Sequence, residues 1–425
     1  MGYASMLDRL PTPWPEFLRQ VGSLVAWRGR TAYLVGGSVR DLLLGRPVLD
    51  VDVVVEADAP SLAEDLVLGL GCVVSERSQF GTVKLEWKER AVDLVTARSE
   101  SYHHPGALPT VVPGTIAEDL ARRDFTVNAM GLCLHPKRWG ALTDPHGGQR
   151  DLDLRLIRVL HSKSFQDDGT RILRAVRYCA RLGFALEDQT RQWLLRDRDK
   201  LSTIGGERLF HELELIMQEE TPEVALALAE ELGVLAAIYP GLRFTPGMAQ
   251  WFEQARKEVT VGADLGVRPD VFLCLLAYPL GSQQLPELAR RLKLSGRRSQ
   301  ALEETVALRQ QLADVDLAGL TPSALYRALE HYCLSALQAA AIAAANPGQR
   351  ERVWSYLKDQ RLRRTSLNGS DLIALGVPEG PEVGRRLRQL LDARLDGVVQ
   401  DRDGEVSLVR RWAAEDGGTV PKGSN

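Results

Sequence analysis

The chain has 425 residues, 44% hydrophobic and 26% charged, with a net charge of −3. That length exceeds one core and suits two to four domains, and the balanced charge excludes a globally basic nucleic-acid binder, so any RNA contact must come from local basic patches. Five scattered cysteines (Cys72, Cys133, Cys179, Cys274, Cys333) without CxxC or CxxH spacing argue against a disulfide framework or zinc site and fit a reducing, cytoplasmic setting; no apolar run approaches about 18 residues and no leader pattern opens the chain, so no membrane partner is expected.

In chain order, residues 1–30 read as a lead-in and a helix from Trp14 to Trp27. From Thr31 to about Leu160, short apolar runs alternate with helical ones. Ala59 to Leu70 is a helix N-capped near Asp58, and Cys72–Val74, Thr82–Trp87 and Ala91–Thr96 are strands. From about Asp167 strand signals nearly vanish, and a Leu/Ala/Glu/Arg-rich helical pattern runs to the C-terminus. The expected fold class is α+β: a small head with a mixed sheet, followed by a long all-α neck, body and tail. The final residues, Glu415 to Asn425, are rich in glycine and polar groups and are expected to be disordered.

The densest chemical signal runs from Leu34 to Val55. An apolar run meets Gly36-Gly37, where a residue without Cβ permits positive φ and close backbone approach. Ser38 is a candidate helix N-cap for a short helix ending near Gly45. A β-branched run follows that carries Asp50 and Asp52, two apart and therefore on one face of a strand; Val51, Val53 and Val55 fill the other, although Val54 breaks strict alternation. Adjacent carboxylates repel unless a cation lies between them, and an all-oxygen donor pair suits Mg²⁺. The glycine turn, a helix N-terminus and Arg40 offer an anion site. Phosphate, Mg²⁺ and paired aspartates together point to phosphoryl or nucleotidyl transfer.

The stretch from Gly36 to Asp52, GGSVRDLLLGRPVLDVD, resembles the signature of the polymerase-β-like nucleotidyltransferases. Within them it is most similar to the bacterial class II tRNA nucleotidyltransferases, the CCA-adding enzyme and poly(A) polymerase family. A third carboxylate is then expected from a neighbouring strand. Asp93, inside the apolar run Ala91–Thr96, matches the family's acid between two apolar residues; its alternative role is as a partner for Arg98. Arg122-Arg123-Asp124-Phe125-Thr126-Val127-Asn128-Ala129-Met130 closely matches the family's RRDFTxNAM element. Paired arginines beside an acid in an apolar stretch are costly unless they hold something polar. Arg122, Arg123 and Asp124 are assigned to phosphate and ribose, and Asn128 to support or substrate contact.

Residues Ser164–Tyr178 read as one helix with acids in its first turn, placing Asp168 and Arg171 as i,i+3 neighbours on one face, with Arg174 following. Cytosine and adenine both present an amino donor beside an unprotonated ring nitrogen. A carboxylate beside a guanidinium complements them and leaves uracil or guanine with unpaired groups. The family's EDxxR element implies this same role as a protein template; here its first position is Asp167 rather than Glu, which weakens any support it gives Arg171.

Asp144-Pro145-His146-Gly147-Gly148 resembles a structural turn of the family, and Gly206-Glu207-Arg208 with Glu212 its next element, read as a helix-stabilising ion pair. The Pro/Gly-rich stretch Ser99–Ile116 is expected to be a mobile loop; in the family a loop here is linked to the switch from C to A addition. Basic runs at 288–298, 361–364 and 385–388, with the helix–turn–helix pattern of Asn368–Leu387, suggest an RNA-backbone surface.

The expected domains are a nucleotidyltransferase head (1–160), a helical neck carrying the base-recognition helix (161–245), a helical body (246–360) and a tail contacting tRNA (361–425). The resemblance implies a Mg²⁺-dependent enzyme that adds all or part of CCA to the tRNA 3′ end from CTP and/or ATP. Asp50 and Asp52 would be metal ligands, with Gly36, Gly37 and Arg40 near the triphosphate. The alternatives are a template-independent poly(A) polymerase and a non-catalytic RNA- or nucleotide-binding relative.

Overall fold

The computed structural model describes residues 3–48, 50–78, 81–101, 110–259 and 267–415. The chain divides into two compact units, residues 1–240 and 241–425.

The first unit opens with helices α1 (Tyr3–Leu7) and α2 (Trp14–Trp27). The strands β1 (Ala32–Val35), β2 (Val51–Val55), β3 (Val73–Arg77), β4 (Thr82–Trp87) and β5 (Arg90–Thr96) follow, with α3 (Gly37–Leu43) between β1 and β2 and α4 (Ala59–Leu70) between β2 and β3. As expected, the side chain of Asp58 caps α4 by accepting from the Ser61 amide. A strand pair, β6 (Arg98–Ser101) with β7 (Thr110–Pro113), occupies both ends of the stretch expected to be loop. Residues 102–109, where mobility was expected, lie outside the described residues, as do 416–425 of the expected disordered end. Helix α5 (Ile116–Ala121) is closed by a reciprocal capping box between Thr115 and Glu118. The strands β8 (Gly131–Cys133) and β9 (Leu142–Thr143) then complete a seven-stranded mixed sheet of order β3-β4-β5-β2-β1-β8-β9.

Strand β2 lies near the middle of the sheet, antiparallel to β1 and parallel to β5. Its broken alternation has a packing cause. Val53 and Val55 are buried, and Val54 is buried too, in a cluster with Tyr33, Val35, Ala97, Ile116 and Leu120. A strand covered on both faces has no need of a polar side.

After the sheet come α6 (Gly148–Leu154), β10 (Leu156–Ile157), α7 (Ser164–Asp167) and α8 (Thr170–Leu182). The short strand β11 (Ala185–Leu186) pairs with β10, and α9 (Asp188–Asp197), α10 (Gly206–Met217), α11 (Pro222–Glu231) and α12 (Val234–Ile238) follow. The Asp144 carboxylate accepts from the amides of Gly148 and Gln149 at 2.7 and 3.0 Å, which sets α6 on its turn. The single helix expected over Ser164–Tyr178 is in fact two. Asp168 has extended φ/ψ (−141°, 104°), and its carboxylate accepts from the Thr170 amide and hydroxyl at 3.0 and 2.8 Å. An aspartate that bonds forward in this way ends one helix and starts the next.

The second unit is helical throughout its described residues. Helices Val267–Ala277 and Gly296–Asp314 pack on the Ala-rich helix Leu334–Ala343, which Pro347–Lys358 also contacts. Toward the C-terminus, Leu367, Leu372, Leu390 and Val409 form a separate small core. Beside it the fully buried Glu405 accepts from the amides of Ser366 and Leu367 and from Arg394.

Candidate active site

Strand β2, helices α3 and α8 and the residues just after α5 border one cavity of about 650 Å³. Its lining holds seven arginines against five aspartates, a positive excess within a chain of net −3. Such a site suits a polyanion.

The acids come from the α3–β2 connection and β2. Asp50 and Asp52 both line the cavity. Ser38 is not the N-cap of α3; the helix starts at Gly37 with Gly36 before it. The Ser38 hydroxyl instead donates to the Asp50 carbonyl at 2.8 Å and accepts from the Asp52 amide at 3.2 Å, tying the acid-bearing backbone to α3. Asp52 is pushed up to about 6, chiefly by burial, with Asp93 and Asp50 adding to the rise while Arg123 and Arg40 oppose it. Asp93 sits on β5 directly opposite Asp52 in the parallel register, outside the cavity lining. Burial raises it, and Lys84, opposite on β4, opposes the rise. Lys84, itself paired to Glu76 at 2.9 Å, is thus its neighbouring cation.

The arginines are anchored from behind. Asp119, fully buried on α5, accepts from both Arg122 (2.6 and 3.0 Å) and Arg123 (3.0 and 3.3 Å). Gly36, at φ +69°, lets Arg123 lie across the turn: a Cβ there would stand 2.5 Å from Arg123 Nη1 and 3.7 Å from Asp52 Oδ2. Arg40 is 3% exposed, and its guanidinium donates to Asp41 at 2.8 and 2.9 Å and to Asn128 Oδ1 at 2.7 Å. Asn128 passes the link on by donating to Asp124 at 3.0 Å, and Asp124 accepts from Arg174 at 2.7 and 2.9 Å. Burial pushes Asp124 up, but Arg174 and Asn128 outweigh it and hold the carboxyl below the usual range.

Helix α8 presents Arg171, Arg174, Tyr178 and Arg181 to the cavity, a 3-4-3 spacing that makes one helical face. Asp168 and Arg171 both line the cavity, but among the described residues no ion pair joins them, contrary to the i,i+3 expectation. The helix break turns Asp168 toward Arg208 of α10, which donates to both its oxygens at 2.8 and 2.9 Å. Arg171 donates to the carbonyls of Arg122 at 2.7 Å and Ser164 at 3.4 Å. Asp167 faces His161 at 3.7 Å. Arg208 and Glu212 therefore reach outside their own helix, Glu212 lying 3.5 Å from Arg174 and 3.7 Å from Arg177.

Sequence reasoning gave no role to Asp119 or Tyr178, took Ser38 as a helix cap and placed Arg208 in a helix-stabilising ion pair. Asp119 carried a legible signal, an acid three and four residues before two arginines on a helix. The partners that Ser38 and Arg208 actually find lie across the fold and left no such signal.

Among the described residues, no three His, Cys, Asp or Glu side chains converge to hold a metal. The Asp50–Asp52 pair nonetheless has the donor chemistry of a hard divalent cation such as Mg²⁺, all oxygen, with Asp52 partly buried and Asp50 exposed. The raised Asp52 shows that the surrounding arginines do not fully offset the buried charge.

Paired acids beside a glycine turn at the start of a central strand, facing arginines from α8 and from the segment after α5, define a polymerase-β-like nucleotidyltransferase head. The comparisons agree. Residues 32–158 match the family described as Poly A polymerase head domain, and residues 183–245 match Probable RNA and SrmB- binding site of polymerase A. The chain is 33% identical to an A-adding tRNA nucleotidyltransferase of Geobacter sulfurreducens (96% of this chain, 48% of that one). It is 30% identical to a CCA-adding enzyme of Geobacillus stearothermophilus (94% and 97%) and 32% identical to a CC-adding tRNA nucleotidyltransferase of Deinococcus radiodurans (89% and 88%). It superposes on a CCA-adding enzyme in its apo form II with a TM-score of 0.82 at 30% identity, covering 97% of this chain and 99% of that one. With a Thermotoga maritima CCA-adding enzyme complexed with tRNA the TM-score is 0.75 at 29% identity, covering 97% and 98%. The chain belongs to the bacterial tRNA nucleotidyltransferase family. It spans about half the length of the A-adding relatives it matches. No described helix is long and apolar enough to cross a membrane.

Proposed function

We propose that the protein transfers nucleotides from ATP and/or CTP to the 3′ end of tRNA, building all or part of CCA, with Mg²⁺ held by Asp50 and Asp52. The observation that supports this most is the one cavity in which Asp50, just before β2, and Asp52, on it, face the arginines of α8 and of the segment after α5. Bound there, Mg²⁺ would supply Lewis acidity at the phosphates and an activated hydroxyl. The terminal 3′-hydroxyl gives up its proton to a carboxylate, for which Asp93 is the candidate, its oxygen attacks the α-phosphorus of the nucleoside triphosphate, a P–O bond forms, and the bond to pyrophosphate breaks. Asp93, beside Asp52, is proposed as the third carboxylate. Arg122 and Arg123 would hold the phosphates in the geometry that Asp119 imposes. Arg40 shapes the triphosphate end while its own donors stay on Asp41 and Asn128.

Asp168 would accept from the exocyclic amino group of cytosine or adenine, and Arg171 would donate to the unprotonated ring nitrogen. Because Asp168 is paired with Arg208 and Arg171 with backbone carbonyls, the two need not separate from each other before meeting a base. Basic helices of the second unit are proposed to follow the tRNA backbone.

The test is incorporation with Mg²⁺ on two tRNA transcripts, one ending before CCA and one ending in CC, with CTP and ATP given separately and together. Full CCA on the first identifies a complete CCA-adding enzyme. A stop at CC, or a single A on the second alone, identifies a partial one. Long A tails on unrelated RNA favour a poly(A) polymerase, and no incorporation at all overturns the proposal.

A further inference from the structure

The arginines of the cavity fall into two tiers. Arg40, Arg122, Arg123 and Arg174 are each fastened to a carboxylate with bonds of 2.6–3.0 Å, and Arg171 to a carbonyl at 2.7 Å. Arg46 and Arg181 are different. Arg46 is exposed, on the connection that leads to Asp50. Among the described residues its guanidinium makes two long bonds, 3.3 and 3.4 Å, to the carbonyls of Arg181 and Leu182 at the C-terminal end of α8. The Arg181 side chain is 42% exposed, and its Nε lies 3.9 Å from Glu219. Both nevertheless line the cavity.

Their position along α8 matters. Arg171 and Arg181 lie on the same face, ten residues apart, so roughly 15 Å separates them along the helix axis. The base of an incoming nucleotide is assigned to the Arg171 end. At the other end, where Arg46 meets α8, Arg46 and Arg181 are exposed, as is Asp50 on the same cavity lining. A polymeric acceptor has to enter from solvent and bring its 3′-hydroxyl to the acids, so its last phosphodiester reaches the rim rather than the buried tier. Guanidiniums that are exposed and weakly engaged can reorient onto a phosphate without giving up a buried ion pair.

We infer that Arg46 and Arg181 form a clamp for the terminal phosphodiester of the acceptor strand, separate from the arginines that hold the incoming triphosphate. This rests on the nucleotidyltransferase reading above, and the wild-type protein serves as its control: no incorporation by the wild type defeats that reading and not the clamp.

The experiment compares wild type, Arg46→Ala, Arg181→Ala and the double variant on an RNA acceptor that carries either a normal or an uncharged methylphosphonate terminal linkage. The neutral linkage is expected to raise the wild-type KM for RNA about tenfold, the scale of one charge-assisted phosphate contact. Each single variant is expected to raise the KM for normal RNA by a similar factor, while the Kd for ATP, read by equilibrium binding, stays at the wild-type value. In the double variant the neutral linkage should cost nothing further, and the slope of log affinity for RNA against log salt should fall by about 0.7, one phosphate contact to a single strand. A merely structural role for Arg46 would leave the methylphosphonate penalty intact. An intact penalty in the double variant overturns the clamp, and so does a loss of ATP affinity equal to the loss for RNA, which would assign these arginines to the triphosphate.

Discussion

The acid floor at the start of β2 and the guanidinium wall formed by α8 and the residues after α5 border the same cavity and treat an aspartate in opposite ways. Asp52 is driven up to about 6 because its burial outweighs the help of Arg123 and Arg40, with two further carboxylates close by. Asp124 is more deeply buried, yet it is held below the usual carboxylate range because Arg174 and Asn128 are bonded directly to it. Burial alone therefore does not set the behaviour of a carboxylate; the number of donors fastened to it does. The wall is an internally compensated scaffold. The floor retains negative charge in search of a cation, which is the condition for a metal-dependent site and a cost to the empty fold.

The sharpest way to break this contrast is Asp52→Asn. It should lower nucleotide incorporation at least about 10³-fold, near 4 kcal/mol of barrier, while the melting temperature stays level or rises because a poorly compensated buried charge has gone. A matching loss of stability would show that Asp52 is part of the scaffold after all.

Asp124→Ala should do the reverse. Removing one partner of a buried pair costs about 3 kcal/mol, since Arg174 keeps only the longer contact to Glu212. Urea denaturation followed by circular dichroism would read this, and an unchanged midpoint would mean that the wall is not held together at Asp124.

Gly36→Ala probes the seam between the two regions. A Cβ at φ +69° against Arg123 Nη1 should cost about 2 kcal/mol of stability from strain and displaced packing. It should also raise the KM for nucleotide, because Arg123 is pushed off the turn. Denaturation midpoints and steady-state kinetics on the same preparation check both effects.

The smallest effect is the acid limb of the stability curve. A carboxyl whose folded pKa is depressed contributes stability above its unfolded value, near 3.9, and loses that contribution as pH falls through its folded pKa. The wild type should therefore lose stability below about pH 4 more steeply than Asp124→Asn, as thermal melts across that range would show.

Much of the head was legible in the primary structure because its information is local. A glycine turn before a β-branched strand with two acids, and an arginine pair before Asp124, are short patterns whose chemistry depends on neighbours along the chain. The helix Trp14–Trp27, the capped helix Ala59–Leu70 and the acid-bearing strand around Asp93 were readable for the same reason. The helix break at Asp168 was not. Helical periodicity runs through that residue, and the bond from Thr170 that ends the turn competes with the helix on equal local terms. Arg208, thirty-eight residues beyond Thr170, then settles which way the Asp168 carboxylate faces.

By itself the sequence determined the α+β class, the family, and most of the acids and arginines that line the cavity, though not Asp41, Arg46 or Arg181, since period, turn chemistry and residue type are encoded within a few positions. Only the tertiary structure decided which charges are spent and which are available. Asp119 binds two arginines, Arg40 is consumed by Asp41 and Asn128, and Arg46 and Arg181 remain exposed at the rim. Those outcomes depend on burial and on partners brought from distant segments, and Coulomb energies between side chains are fixed by distance and solvent exposure rather than by order along the chain.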